Sequence, residues 1–230
     1  MMEKMFHLLF PDVCVICGSL LNGSERYCCT ACISGFDRFR SPSEAEEVLR
    51  HAIATRFSDK FLFDRGWSLF WFHKDNSLQQ ALHAMKYEGL FTIGTLFGHQ
   101  LGQWMLQGDV PGDIDCVVPV PLHYLKKVER SFNQAEKIAE GIAQSIHKPV
   151  RPELLKRKRY TESQTSLPAP LRRKNPAGAF QAGKSSMPPH VLLVDDVITT
   201  GATIASAASA LRAAGVRRVS IASVALAAKE

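Results

Sequence analysis

The sequence predicts an α/β domain, a parallel sheet with helices on both faces, carrying a small N-terminal metal-binding module. Three observations lead there. Short apolar runs alternate with amphipathic helical stretches through the second half of the 230 residues, the pattern of parallel strands joined by crossover helices. One of those runs ends in two adjacent acids and a Thr-Thr-Gly turn. Five of the six cysteines are crowded between Cys14 and Cys32, which does not suit a disulfide framework spread through a secreted fold.

Residues 1–35 form the Cys-rich module. Cys14-Val-Ile-Cys17 and Cys29-Thr-Ala-Cys32 are two C-x2-C pairs separated by 11 residues. Each pair makes a knuckle, and four thiolates in that spacing predict a closed, structural zinc site. Gly18 suits the tight turn after the first pair. Cys28 has no x2 spacing to Cys32 and is left out of the predicted set, although its adjacency to Cys29 leaves the choice between the two open. A redox dithiol or free thiols are the competing readings. So short a module has little core, so metal binding on the order of 10 kcal/mol would supply most of its folding free energy.

Residues 36–75 read as a connection into the main domain, with a helix over Ser43–His51 and a candidate edge strand over Trp67–His73. The main domain is expected over 76–230. Apolar residues at Leu78, Ala81, Leu82, Met85, then Leu90, Ile93, Leu96, Phe97, Leu101 and Met105 predict amphipathic helix, broken near Glu88-Gly89. Asp115–Pro121 is a short strand and Asn133–Ile146 a helix. Val191–Val194 is a buried strand, Ala202–Ala214 a helix stopped by Gly215, and Arg218–Ala225 the last strand. Residues 147–189 interrupt this order, and a loop that long in a compact domain is functional or disordered. Cys116, alone in an apolar run, reads as core.

The formal charge is +6, and the segment 151–174 holds eight Lys and Arg against two Glu, the whole excess. A polyphosphate ligand, a nucleic acid or a solvated basic loop would each account for it. No apolar run approaches the roughly 18 residues of a membrane helix. Met1–Pro11 is too short and weakly apolar for a signal peptide. A soluble cytoplasmic protein without a membrane span is expected.

His190–Thr203 carries the sharpest chemistry. In open parallel sheets ligands bind at the carboxyl ends of the strands. There Gly201 permits close backbone approach, and the N–H groups of Gly201, Ala202 and Thr203 open a helix whose dipole favours an anion. Thr199, Thr200 and Thr203 add hydroxyl donors. Asp195 and Asp196 would repel a bare phosphate, but they suit a sugar, accepting hydrogen bonds from vicinal ribose hydroxyls and helping to hold Mg²⁺. An ordinary turn with an N-cap explains one acid and the glycine, but not two acids, three threonines and a glycine in nine residues. A phosphorylated ribose is the predicted ligand.

A second anionic group has a matching loop. The strand ending at Pro121, Leu122 and His123 leads through Lys126, Lys127 and Arg130 to Asn133 at a helix start. Cations before a helix N-terminus suit a diphosphate. A basic loop merely capped by Ser131 or Asn133 is an equal alternative.

The 190–203 stretch resembles the 5-phosphoribosyl-1-pyrophosphate (PRPP) motif of type I phosphoribosyltransferases: apolar strand, two acids, Thr-Thr-Gly loop. A narrower resemblance is to the ComF family, also called GntX-like and associated with competence. Arg157, Arg159, Thr161, Gln164, Leu167, Arg172, Asn175 and Phe180 match its pattern, as does Lys86-Tyr87. Its Arg-Gly-Phe-Asn-Gln matches Arg130–Gln134, with Ser131 in place of the glycine. The resemblance runs from about residue 11 to 226, and the family's four-Cys module supports zinc.

The resemblance implies the type I phosphoribosyltransferase fold and a flexible flap over residues 156–175, whose Arg157, Arg159, Gln164 and Arg172 would close over PRPP and stabilise the departing pyrophosphate. It implies an Mg²⁺-dependent phosphoribosyltransferase of unknown acceptor linked to DNA uptake. The alternatives are a non-catalytic factor handling single-stranded DNA beside a helicase-like partner, and a PRPP-sensing regulator. The acceptor pocket would fall to residues 40–75, the Cys module or both. Glu129, Glu136, His123 and His73 remain equal candidates for a general base.

Overall fold

The period-2 and period-3.6 patterns settle into six strands and six α-helices among the described residues, which in this computed structural model are 12–23, 25–57, 63–74, 76–87, 90–108, 110–122, 131–158 and 178–227. In chain order they are α1 (Thr30–Ser34), α2 (Pro42–Phe57), β1 (Gly66–Phe72), α3 (Ser77–Tyr87), α4 (Thr92–Leu106), β2 (Cys116–Pro119), α5 (Gln134–Ile146), β3 (Leu155–Arg157), β4 (Phe180–Ala182), β5 (His190–Ile198), α6 (Ala202–Ala213) and β6 (Arg218–Ala227). Among them no helix is long and apolar enough to cross a membrane.

The main sheet has the order β1-β6-β5-β2, parallel throughout. Its two central strands are buried on both faces over Val191–Val194 of β5 and Val219–Leu226 of β6, because both faces of the sheet are covered. The stretch 36–75 is therefore more than a connection, since its β1 forms one edge of the sheet. Residues 37–39 run antiparallel beside that edge: Trp71 N–H donates to Asp37 O and Phe39 N–H to Leu69 O. Phe70 meets Phe36 and Phe97 on one face, while Trp71 stacks on Phe39 with ring centroids 4.4 Å apart.

α3 and α4 bury the predicted apolar positions except Leu96, which is half-buried, and Leu90, which is half-buried ahead of α4; the predicted break falls between Tyr87 and Thr92. α4 packs on α5 at two glycines. A Cβ on Gly98 would stand 2.2 Å from Ile138 O, and one on Gly141 would stand 2.3 Å from Thr95 O. The backbones approach that closely because neither residue has a side chain.

The helix expected over Ser43–His51 runs on to Phe57 as α2, and most other ends move by one or two residues. β5 does not stop at Val194 but continues through both acids to Ile198, because β6 pairs with it that far: Asp195 opposite Ser223, Ile198 opposite Leu226. His190, the first residue of the stretch read as a ligand site, lies at the opposite end of the strand. There it is buried, with Nδ1 3.2 Å from Asp113 Oδ1 and Nε2 2.9 Å from Ser220 Oγ. Arg218 donates to Asp64 and Asp113 beside it, and this hydrogen bond holds the Asp64 carboxyl below the usual range. That network ties together the amino ends of the sheet.

The long interruption has a defined base. β3 and β4 form a two-stranded antiparallel pair, extended by Lys158 N–H donating to Ala179 O at 2.8 Å. The chain thus leaves at Lys158 and returns at Ala179 as neighbours.

Candidate phosphoribosyl site and four-cysteine centre

The carboxyl end of β5 carries Asp195 and Asp196 side by side. Asp195 Oδ1 accepts from Asp196 N–H at 2.9 Å, and Asp196 Oδ1 accepts from Val197 N–H at 2.7 Å. Lys86, in the last turn of α3, places Nζ 2.6 Å from Asp196 Oδ2, with both side chains about one-fifth exposed. Lys86 thus compensates Asp196. Asp195 keeps some solvent contact as a residue, but its carboxyl group is enclosed. Burial first, and then the Asp196 charge, push its pKa up to about 8.

Beyond Ile198 the chain turns through Thr199 and Thr200, both exposed. Gly201 sits at φ 75° as the N-cap of α6, with no side chain capping the helix. Thr200 Oγ1 accepts from Ala202 N–H at 3.3 Å. The left-handed glycine lets the chain pass from strand to helix within three residues. The first turn of α6, with Ala202 and Thr203 half-buried, opens at the carboxyl edge of the sheet. Asp195, Asp196, Thr199, Thr200, Gly201, Ala202 and Thr203 are thus brought together, as a cradle for a phosphate and a sugar requires.

Of the second predicted loop, Pro121 and Leu122 follow β2 half-buried. Asn133 is the N-cap of α5: its Oδ1 accepts from Ala135 N–H and its Nδ2 donates to Val120 O at 3.0 Å. It therefore anchors the helix start to the end of β2. Ser131 has φ 63°, so the left-handed backbone that the resembled pattern assigns to glycine is kept by a serine. His123 and Arg130 lie outside the described residues, as do the flap residues Arg159, Gln164 and Arg172. Arg157 is described, and its guanidinium lies 5.2 Å from the Phe180 ring centroid at the base of the β3–β4 pair.

Cys14, Cys17, Cys29 and Cys32 bring their Sγ atoms within 4.8 Å of one another. Cys17 and Cys29 Sγ are 3.7 Å apart, far beyond the roughly 2.05 Å of a disulfide. Four ligands about 2.3 Å from a tetrahedral zinc lie about 3.8 Å apart, so the set fits that ion. Both knuckles are built by backbone donors: Cys29 N–H to Cys14 Sγ at 3.3 Å and Cys32 N–H to Cys29 Sγ at 3.4 Å. Left-handed turns at Gly18 (φ 71°) and Tyr27 (φ 64°) shape them. The hydrogen bond between Cys17 Sγ and Ser19 Oγ leads the causes that push Cys17 down to about 6. Cys28 stands outside the cluster, buried, with desolvation raising its thiol to about 12. The cluster is formed with Cys29 and without Cys28. Cys116 is also core, raised to about 11 by burial.

Residues 117–230 match the phosphoribosyl transferase domain family. Competence protein F of Haemophilus influenzae is 34% identical over 110 residues, 46% of this chain and 48% of that one. Competence protein ComFC of Bacillus subtilis is 27% identical over 215 residues, 90% of this chain and 82% of that one. The chain is thus similar to ComF-family proteins and carries a phosphoribosyl transferase domain match over its second half. DNA utilization protein YhgH of Escherichia coli K12 is another relative, 34% identical over 107 residues. The matched segment spans about half the length of Competence protein F and of YhgH. Glutamine PRPP amidotransferase from B. subtilis, solved with ADP and GMP, is a structural neighbour with a TM-score of 0.41 and 22% identity, covering 57% of this chain and 26% of that one.

The sequence reading noted Lys86 only as part of a family pattern and gave it no role. Its spacing on α3 made it one more polar residue of an amphipathic helix. Only packing brings it to Asp196, more than 100 residues away.

Proposed function

We propose that the cradle at the end of β5 binds PRPP and supports transfer of its phosphoribosyl group. The observation that carries this reading is the pairing of the Lys86-compensated acids with the Gly201 turn at one sheet edge. The 5-phosphate sits on the first N–H groups of α6 and the hydroxyls of Thr199, Thr200 and Thr203. Asp195 and Asp196 accept from the ribose 2- and 3-hydroxyls. Charge-assisted donor contacts contribute roughly 1.5–3 kcal/mol each, so four or five would give micromolar affinity after association costs. Pro121, Leu122, His123, Arg130 and Asn133 border the pyrophosphate end, and Arg157, Arg159, Gln164 and Arg172 belong to a flap that excludes water from the ribosyl centre. Mg²⁺, for which the acid pair offers hard oxygen donors, would neutralise the diphosphate. In the N-terminal module, Cys14, Cys17, Cys29 and Cys32 hold a structural zinc ion.

Calorimetric titration of the full chain with PRPP and Mg²⁺ tests the ligand. Saturation below millimolar is expected, and no heat at millimolar PRPP would sink the reading. Release of pyrophosphate in the presence of candidate acceptors then separates turnover from PRPP sensing.

A second reading has its own support. The relatives named for competence and DNA utilization connect this chain with DNA uptake. Tyr87 and Phe91 are each 49% exposed, Phe132 lies 5.9 Å from Phe91, and Lys137 stands over the Phe91 ring. Exposed rings beside a cation suit stacked single-stranded bases. Single-strand binding that survives combined Asp195→Asn and Asp196→Asn, and that PRPP does not displace, would favour a DNA-handling role, with a helicase-like partner, over transfer.

A further inference from the structure

We propose that Cys17 is a modification site for hydroperoxides: oxidation there joins it to Cys29 as a disulfide and opens the four-cysteine centre. Release of the metal rests on the zinc reading; the disulfide does not.

The four thiols are not equally protected. Cys14 and Cys29 are 2% and 9% exposed and Cys32 is half-buried, whereas Cys17 is exposed. The two buried sulfurs are also held by backbone donors. Cys14 Sγ accepts from Cys29 N–H at 3.3 Å, and Cys29 Sγ accepts from Cys32 N–H at 3.4 Å. Cys17 Sγ has the Ser19 hydroxyl beside it, 3.3 Å away and itself exposed. Reaction with a peroxide follows thiolate character and access. Bound to zinc, all four sulfurs are deprotonated. Access then decides among them, and it selects Cys17.

Geometry selects the partner. Cys17 and Cys29 Sγ stand 3.7 Å apart on opposite knuckles. A disulfide needs about 2.05 Å, so the sulfurs must approach by about 1.7 Å. Cys17 can supply that movement, because it lies on an exposed turn with Gly18 at φ 71° behind it. In the first step Cys17 Sγ bonds to one peroxide oxygen, the O–O bond breaks, and hydroxide leaves. Cys17 is then a sulfenic acid. In the second step the Cys29 thiolate attacks that sulfur, the S–O bond breaks, and a second hydroxide leaves. Two thiolates have given two electrons to the peroxide, and solvent protonates both hydroxides to water. With two thiolates consumed the closed four-ligand shell no longer exists, and the ion is released. The change has a route into the main domain. α1 ends beside Phe36, whose ring packs on Phe70 of β1 and Phe97 of α4.

The full chain is treated with hydrogen peroxide. Released zinc is read with a chromogenic chelator, and disulfides are mapped by mass spectrometry of unreduced peptides. One equivalent of zinc should leave as a Cys17–Cys29 cross-link appears, and dithiothreitol with added zinc should reverse both. Cys17→His leaves three cysteines and a histidine, a set that also holds zinc, but it cannot form the cross-link. Its zinc release should slow at least tenfold. The proposal is overturned if millimolar peroxide yields no Cys17–Cys29 cross-link, if another pair joins first, or if Cys17→His releases zinc at the parental rate. Should Cys17→His not fold, the peptide map of the parent chain decides alone. A chain isolated without zinc that still forms the cross-link defeats the zinc reading and leaves the oxidation site. A zinc-loaded chain that forms none defeats the oxidation site and leaves the zinc reading.

Discussion

Lys86 Nζ lies 2.6 Å from Asp196 Oδ2, joining the last turn of α3 to the acid pair at the end of β5. The contact compensates the charge of Asp196, while burial and that same charge raise the pKa of Asp195 beside it. Lys86→Met should lower PRPP affinity at least tenfold in calorimetry, because both acids then repel the ligand's anionic groups. The effect on folding should be small, about 1 kcal/mol, since the pair is only partly buried. Unchanged affinity would show that Lys86 has no part in the site.

Asp195 makes stability depend on pH with a definite sign. Its folded pKa, about 8, is raised above the ordinary 3.8. The folded chain therefore binds more protons than the unfolded chain between those values. The stability this group contributes is full below about pH 4 and is lost as pH rises toward 8. Asp195→Asn should remove that loss. In urea melts the variant should gain on the parent across pH 4 to 8 and run parallel to it below pH 4. PRPP binding should weaken in the same variant, separating the stability of the site from its use.

Cysteine exchange distinguishes ligand from core. Cys32→Ser should abolish the single equivalent of zinc measured by elemental analysis and unfold the module, which metal binding on the order of 10 kcal/mol sustains. Cys28→Ser should keep the zinc. Its cost is that of placing a hydroxyl at a position 2% exposed, about 1–3 kcal/mol without a partner. Zinc loss from Cys28→Ser with retention in Cys29→Ser would reverse the assignment.

Ser131 holds φ 63° without the freedom of glycine. A left-handed L-residue costs about 1–2 kcal/mol, part of which glycine returns through its more flexible unfolded chain. Ser131→Gly should therefore stabilise by less than about 1 kcal/mol in urea unfolding, and a loss of stability would show that the serine side chain is needed there.

Gly98→Ala probes the α4–α5 contact, where the new Cβ would meet Ile138 O at 2.2 Å. Overpacking of this kind costs about 1–3 kcal/mol. It outweighs the roughly 1 kcal/mol that Ala gains over Gly in a helix, so the melting temperature should fall by several degrees.

The order of strands and helices after residue 76, the glycine stops, the cysteine knuckles and the acid–threonine–glycine turn could all be read in the chain, because each rests on local chemistry or a short period. That determined the fold class and the donor and acceptor groups of the loop. Strand order and register were decided by tertiary structure. β6, last in the chain, lies inside the sheet and carries β5 past its acids to Ile198, because pairing partners come from distant segments. The same holds for Lys86 at Asp196 and for Asp37, Trp71 and His73 around one cleft. Charge compensation and a cavity depend on which surfaces meet across the sheet, and no local pattern along the chain records that.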